Sequence, residues 1–231
     1  TVNRLKAVMF DMDGVLIDSE RISLNLWRQI NEEWGNVFDV SVISQMMGGS
    51  PEENRRKYGH LLPPPEIYDQ MRQQKMIRTR QLVEQQGMPL RPGVREMLAT
   101  LKENGIRRLI VSSTPRENAE WFLQRAGIAE EFDDAIFADE AGRRKPHPDL
   151  YLAMMERQAL KPQDCIIIED SPNGVQAGYA AGVRVFGVED TTPLRQFEGR
   201  EAWQIVDSME AVRRWVLQQL EKENQTRQPQ G

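Results

Sequence analysis

Two aspartates, Asp11 and Asp13, directly follow a short apolar stretch near the start of the chain, and Gly14 comes next. Carboxylates this close repel each other, so both ionise in a cleft only at a high cost unless a cation lies between them. Asp and Gly are also common turn residues, and an acidic turn is the simpler interpretation of a bare Asp-x-Asp. The apolar lead-in over residues 5–10, which only Lys6 interrupts, favours the chemical interpretation.

Further polar side chains follow later apolar stretches or precede a predicted helix. They are a run of hydroxyls, an acidic pair and a single lysine: Ser112, Ser113 and Thr114; Glu169 and Asp170; Lys145. Ligands of open parallel sheets bind at the carboxyl ends of the strands, so we expect these side chains to share one crevice with Asp11 and Asp13. Because Mg²⁺ takes oxygen ligands from carboxylates, water and phosphate, the set indicates a magnesium and phosphate site.

Each of these groups also has a purely structural interpretation. The hydroxyls at 112–114 can cap a helix that begins near Arg116. Glu169 and Asp170 suit the N-terminal end of the following helix, and Lys145 alone would be a solvated surface residue. Taken singly, these interpretations are the better ones, but four such groups in order after successive strands favour a shared site.

The pattern of elements predicts the α/β class. Strands are predicted over residues 5–10, 106–111, 135–138, 165–168 and 183–188, and helices alternate with them from residue 90 onward. Such alternation is typical of a Rossmann-like parallel sheet with helices on both faces. Residues from about 20 to 86 show helical patterns and no clear strand. We therefore predict a core domain from residues 1–18 and 88–231, with an all-helical cap domain inserted at 19–87. The last helix contains Met209, Val212, Val216 and Leu220, and we expect the polar tail 221–231 to be frayed.

The string from Asp11 to Glu20, DMDGVLIDSE, resembles the first motif of the haloacid dehalogenase-like (HAD) superfamily of phosphohydrolases, and especially members with a small helical cap. The resemblance extends over about residues 5–190 and includes the three later groups in the same order. It implies that Asp11 is the nucleophile and Asp13 the general acid/base, and that Lys145 has a catalytic and phosphate-binding role. It also implies phosphate binding by Ser112 and Ser113, and Mg²⁺ binding by Asp11, Asp170, Glu169 (directly or through water) and the main-chain carbonyl of Asp13.

The implied activity is a Mg²⁺-dependent phosphatase that acts through an aspartyl-phosphate. The second aspartate, Asp13, separates phosphatases from true haloacid dehalogenases, which lack it. β-Phosphoglucomutases resemble the chain over the same span, but they carry a His where this chain has Ser23. We therefore predict a hydrolase for a small phosphorylated metabolite, such as a sugar phosphate. The main alternative is the mutase, and another is a phosphatase for phosphoglycolate or a nucleotide. A catalytically silent interaction protein on the same scaffold is a further alternative, which the intact acidic residues disfavour.

Substrate selection is expected in the cap. Gly48 and Gly49 permit a close backbone approach to a ligand, and Arg116 and Asn118 could line the entrance. We predict no catalytic role for the two histidines, which are His60 and His147.

Net charge and cysteine content indicate the kinds of partner and the cellular compartment to expect. The net charge of −5 is mixed along the chain, so we expect neither nucleic-acid nor membrane partners. The single cysteine, Cys165, provides no disulfide framework, which fits a reducing cytosol. We expect a soluble cytoplasmic protein that is a monomer or a weak homodimer.

Overall fold

The computed structural model describes residues 4–227, and a six-stranded parallel sheet is its central element. The strands are β1 Ala7–Phe10, β2 Arg107–Val111, β3 Asp134–Ile136, β4 Cys165–Glu169, β5 Arg184–Val188 and β6 Gln204–Val206. Their order across the sheet is β3-β2-β1-β4-β5-β6, so β1 lies in the middle and pairs with β2 and β4. The predicted parallel sheet is confirmed, and β6 is a strand that the sequence pattern did not predict.

Nine α-helices occur within the described residues. They are α1 Ser19–Glu33, α2 Val42–Met46, α3 Pro51–Tyr58, α4 Pro65–Gln86, α5 Val94–Glu103, α6 Arg116–Ala126, α7 Asp149–Arg157, α8 Pro172–Ala180 and α9 Met209–Arg227. A serine followed by a proline begins both α3 and α8. Ser50 Oγ accepts a hydrogen bond from Glu53 N at 3.2 Å, and Ser171 Oγ accepts one from Gly174 N at 3.1 Å. These caps satisfy main-chain donors that the first helical turn leaves free.

Helices cover both faces of the sheet. Successive strand residues point to opposite faces, so each strand contributes side chains to both layers. In β1, Val8 and Phe10 belong to a buried cluster with residues of α5, α6 and α9. Ala7 and Met9 belong to a second buried cluster with residues of α7 and α8. A central strand buried on both faces needs a continuous apolar sequence, which explains the apolar lead-in to Asp11.

A helical insertion between β1 and β2 carries a small apolar cluster of its own. Trp27 of α1 is at its centre and stacks on Tyr68 of α4, with ring centroids 5.4 Å apart. The chain passes between sheet and insertion at two adjacent points, since Ile17 pairs with Leu90 in an antiparallel bridge. The predicted insertion is confirmed, while its boundaries at 18/19 and 87/88 stay a prediction.

The predicted fraying of the tail is wrong for residues 221–227. Helix α9 continues to Arg227, and the side chain of Glu223 is buried against the sheet. Its Oε1 accepts a hydrogen bond from Leu5 N at 3.0 Å, so a main-chain donor ahead of β1 anchors an otherwise polar helix end. Residues 228–231 lie outside the described part of the chain.

Within residues 4–227, no helix combines the length and apolar character needed to cross a bilayer.

Candidate active site

Asp11 is the first residue after the central strand, at the edge of the sheet where ligands of such folds bind. Its N–H donates to the Ile168 carbonyl at 3.1 Å, which continues the pairing of β1 with β4 and fixes the backbone. The side chain is 13% exposed and lines a cavity between the sheet edge and the helical insertion. Asp11 is thus a rigidly held carboxylate that remains accessible to a ligand.

Lys145 brings a buried ammonium to this carboxylate. Its Nζ donates to Asp11 Oδ1 at 3.0 Å, to Glu169 Oε1 at 2.7 Å and to the Val111 carbonyl at 2.8 Å. Burial opposes the charged form, but the charges of Asp11 and Glu169 outweigh it and raise the pKa of Lys145. The residue is therefore a fixed positive charge, and the structure brings it together with Asp11 as predicted.

Three carboxylates form a group that fits a divalent cation. Asp11, Glu169 and Asp170 each offer an oxygen, and these oxygens lie within 4.8 Å of one another. Glu169 Oε2 and Asp170 Oδ1 are buried and have no hydrogen-bond partner among the described residues. Buried carboxylate oxygens without donors are costly, and hard cations such as Mg²⁺ take such oxygens as ligands. The side chain of Asp13 is outside this group, so its predicted main-chain contact with the metal stays a prediction.

The pKa shifts of Glu169 and Asp170 also fit a site for a divalent cation. Burial raises the pKa of Glu169 well above its usual range, and the charge of Asp11 adds to the shift. Burial also raises the pKa of Asp170, with a further contribution from the neighbouring Glu20. The charge of Lys145 offsets part of the shift in the pKa of Glu169, and a further cation beside the two acids would favour the anionic form of both.

Two glycines leave space for these acids. A Cβ atom on Gly174 would lie 1.9 Å from Glu169 Oε2, and one on Gly14 would lie 1.9 Å from Asp170 Oδ2. Gly14 also has a φ of +78°, which L side chains rarely adopt. The sequence therefore provides room at two positions where the backbone approaches the carboxylates closely.

Asp13 is held by two hydroxyl groups. Ser19 Oγ donates to its Oδ1 at 2.5 Å, and Thr114 Oγ1 donates to its Oδ2 at 2.6 Å. Burial raises the pKa of Asp13, while these hydrogen bonds and the charge of Lys145 partly offset the shift. An acid with a raised pKa that is fixed beside Asp11 is well suited to donate and accept a proton.

The hydroxyl run at the end of β2 lies at the same sheet edge. Ser113 lines the cavity, and its Oγ is buried without a partner among the described residues. Ser112 is buried, and its Oγ accepts a hydrogen bond from Thr114 N at 3.1 Å. The donor Thr114 N lies ahead of α6, and among the described residues no side chain caps that helix, so the capping interpretation is wrong. Phosphate binding by Ser112 and Ser113 stays a prediction.

The cavity has a volume of about 670 Å³, and the helical insertion forms much of its wall. Gly48, Gly49 and Asn118 line it, and their role in substrate selection stays a prediction. The prediction that Arg116 lines the entrance is wrong, because its side chain does not belong to the cavity lining. Its guanidinium is held by Glu140 and Glu120 on the exposed surface of α6, so its charge is already paired.

Neither histidine lines the cavity either. His147 Nε2 instead lies 3.3 Å from Glu53 Oε1.

Sequence reasoning did not assign roles to four residues that contact the site: Glu20, Thr114, Tyr151 and Lys75. Glu20, from the first turn of α1, lines the cavity, and burial raises its pKa to about 8. Thr114 contacts Asp13, Tyr151 contacts Glu169, and Lys75 of α4 lines the cavity wall. Two of the four had a signal in the sequence, since Glu20 ends the acidic string and Thr114 belongs to the hydroxyl run. Tyr151 and Lys75 reach the site only through the fold.

Comparison with known proteins places the chain among characterised relatives. A family model described as haloacid dehalogenase-like hydrolase matches residues 8–188. The phosphorylated carbohydrates phosphatase of Thermotoga maritima is 33% identical over 187 residues, which cover 80% of this chain and 85% of the relative. A β-phosphoglucomutase of Bacillus subtilis is 28% identical over 200 residues, covering 82% of this chain and 86% of the relative.

A solved structure of a HAD family hydrolase has the same fold as this chain. The crystal structure of a HAD family hydrolase from Deinococcus radiodurans, with bound phosphate and sodium, superposes with a TM-score of 0.76 at 26% identity. The match covers 95% of this chain and 97% of that one. The arrangement of the sheet and the helical insertion is therefore shared along almost the whole chain.

Proposed function

The chain belongs to the haloacid dehalogenase-like hydrolases, as its motifs predicted, and we propose that it is a Mg²⁺-dependent phosphatase for a small phosphorylated metabolite. One observation carries the proposal. The Asp11 carboxylate lies on the cavity lining with the Lys145 ammonium 3.0 Å away and two buried acids within 4.8 Å.

Asp11 is proposed as the nucleophile. Its carboxylate attacks phosphorus, an O–P bond forms, and the bond from phosphorus to the leaving alcohol oxygen breaks. Lys145 holds one carboxylate oxygen of Asp11, which orients the group and stabilises the negative charge near the phosphoryl oxygens.

Asp13 is proposed as the proton carrier in both half-reactions. In its protonated form it gives a proton to the departing alkoxide, which leaves as the alcohol. It then takes a proton from the water that attacks the aspartyl-phosphate, and Asp11 is regenerated with release of inorganic phosphate. The hydrogen bonds from Ser19 and Thr114 keep its carboxyl group in place through both steps.

The metal site would be formed by Asp11, Asp170 and Glu169, with the main-chain carbonyl of Asp13 as a further ligand. When bound, Mg²⁺ supplies positive charge that neutralises the phosphoryl oxygens. Ser112 and Ser113 are proposed to bind the remaining phosphoryl oxygens at the end of β2.

Hydrolysis is preferred over mutase activity because of Ser23. It lines the cavity, and a hydroxyl at this place cannot serve alone as a base that primes a sugar hydroxyl for phosphorylation. A sugar phosphate is the preferred substrate class, which the likeness to the phosphorylated carbohydrates phosphatase supports. The likeness to a β-phosphoglucomutase keeps the mutase as the second candidate.

The test is phosphate release from p-nitrophenyl phosphate with and without Mg²⁺. We expect turnover that requires Mg²⁺ and that Asp11→Asn abolishes, while the exposed-residue control Asp207→Asn keeps it. A well-folded protein without Mg²⁺-dependent turnover would instead favour the interaction protein. The mutase would be indicated if β-glucose 1-phosphate were converted to glucose 6-phosphate faster than phosphate is released.

A further inference from the structure

The cavity has an apolar wall as well as its acidic floor. Met76 and Ile77 of α4 line it from the helical insertion, and Trp121 and Phe122 of α6 line it from the core. Met47, at the end of α2, belongs to the same lining. Five large apolar side chains therefore contribute to the space in front of Asp11.

Two of these side chains are unusually exposed. Met76 is 51% exposed and Ile77 is 58% exposed, and both belong to a small set of large apolar residues with such exposure in residues 4–227. Isolated exposed apolar residues are ordinary, but neighbours that line one cavity with aromatic rings mark a binding surface. The fold leaves both side chains exposed on the cavity wall, where a bound ligand can cover them.

The aromatic part of the wall is held between core and insertion. The guanidinium carbon of Arg80, from α4, lies 4.6 Å from the centroid of the Trp121 ring, and that of Arg125, from α6, lies 5.5 Å from it. Cation–π contacts of this kind fix the indole against α4, the helix that carries Met76 and Ile77. These contacts hold Trp121 in a defined position on the apolar wall.

The size of the cavity leaves room for more than a phosphoryl group. Its volume of about 670 Å³ is that of a pocket for a medium-sized ligand. Such pockets combine a large apolar lining with a few polar groups that orient the ligand, and the acids beside Lys145 are polar groups of that kind.

We propose that the alcohol part of the substrate carries a flat, apolar ring that packs on Met76, Ile77 and Trp121. The proposal rests on the proposed phosphatase function and narrows it. It favours phosphate esters with an aromatic or heteroaromatic ring, including sugar phosphates that bear one, over bare hexose phosphates. Met76, Ile77 and Trp121 are then specificity-determining residues.

The test compares 2-phenylethyl phosphate with ethyl phosphate, which are both unactivated primary esters and differ in the ring. We expect kcat/KM to be at least about tenfold higher for the phenyl compound. The double variant Met76→Ser/Ile77→Ser should reduce this ratio to about threefold or less. Both residues are exposed, so their replacement spares the folded core.

Two control variants test whether a change in the ratio comes from the apolar wall or from any loss of an exposed apolar side chain. Met76→Leu keeps an apolar side chain and should retain the preference. Leu152→Ser removes a 46% exposed apolar residue of α7 outside the cavity and should leave the ratio unchanged. A ratio near one in the unmodified protein, or a ratio that the double variant does not change, would overturn the proposal.

Binding of 2-phenylethylphosphonate and ethylphosphonate, measured by calorimetry with Mg²⁺, distinguishes the two proposals. If p-nitrophenyl phosphate and both esters are left unhydrolysed, the phosphatase function fails. The phosphonate pair then still decides whether the wall selects a ring, because equal affinities would refute it and a tenfold preference lost in the double variant would support it.

Discussion

The hydroxyl of Tyr151 donates a hydrogen bond to Glu169 Oε1, the same oxygen that accepts one from Lys145. Tyr151 lies fully buried in α7, and Lys145 Nζ is 5.0 Å from the centre of its ring. One carboxylate oxygen thus joins α7, β4 and the loop that carries the lysine. The two donors occupy Oε1, so Oε2 is the oxygen of Glu169 that remains for a cation.

Tyr151→Phe should therefore change the metal requirement of the enzyme without unfolding it. The ring keeps its volume, and only a hydrogen bond to a charged group is lost, which contributes about 1.5 kcal/mol or more. We expect kcat to fall about tenfold and the half-saturating Mg²⁺ concentration to rise, because Glu169 is less firmly oriented. Both are measured with p-nitrophenyl phosphate over a Mg²⁺ series. Tyr179→Phe, at a 58% exposed residue, is the matched control, and an unchanged Mg²⁺ requirement in Tyr151→Phe would refute the orienting role.

Gly174→Ala should disable the site through one added methyl group. Its Cβ would lie 1.9 Å from Glu169 Oε2, so the carboxylate must move. We expect turnover to fall about a hundredfold or more, with a weakened response to Mg²⁺. Gly59→Ala serves as the control, since the nearest atom to its Cβ is 3.9 Å away. Equal activities of the two variants would show that Glu169 tolerates displacement.

Glu223→Ala should lower stability while leaving the chemistry unaffected. The substitution leaves the buried N–H of Leu5 without its acceptor, which costs about 1–3 kcal/mol. Urea denaturation should show this loss in the free energy of unfolding, and kcat should remain unchanged. The exposed neighbour Glu221→Ala should change neither quantity. Equal stabilities of the two variants would mean that the end of α9 does not anchor β1.

Cys165 should be unreactive in the folded protein. Burial raises the pKa of its thiol from 9.0 to about 12, and the thiolate is the reactive form. We expect iodoacetamide at pH 8 to modify the native protein at least about a hundredfold more slowly than the urea-unfolded protein. Cys165→Ser provides the unlabelled baseline, and rapid labelling of the native protein would contradict the burial.

The raised pKa of Cys165 also predicts how the free energy of unfolding changes with pH. Because the pKa of Cys165 is higher in the folded than in the unfolded state, the unfolded chain loses the thiol proton first as the pH rises. The contribution of this group to stability is complete below pH 9.0 and decreases as the pH rises toward 12. Cys165→Ser should show a smaller decrease over the same range.

The sequence predicted those parts of the fold that local patterns encode. β1 and β4 are continuous apolar segments that end in acids, and both features are visible in the sequence. β6 pairs with β5 at the edge of the sheet and contains only two consecutive apolar residues, Ile205 and Val206, so no apolar run marked it. The buried carboxylate of Glu223 could not be predicted, since its partner Leu5 is 218 residues away in the sequence.

The candidate site shows the same division. Asp11, Lys145 and Asp170 were identified because each follows or precedes an element whose end faces the sheet edge. Arg116 was misplaced because nothing nearby in the sequence indicates that Glu140, from the segment after β3, pairs with it. Tyr151 and Glu169 lie 18 residues apart on α7 and β4, and Thr114 and Asp13 lie 101 residues apart, so no local pattern indicates these contacts.

The pairing of Ile17 with Leu90 has a consequence for how new specificities can arise in this protein. Because the chain leaves the sheet and returns to it at one point, the intervening segment can be lengthened, shortened or exchanged while β1 and β2 keep their register. The acids for which we propose catalytic or metal-binding roles, Asp11, Asp13, Glu169 and Asp170, lie outside this segment. Recombination at this junction could thus supply a different substrate-selecting segment in a single genetic event.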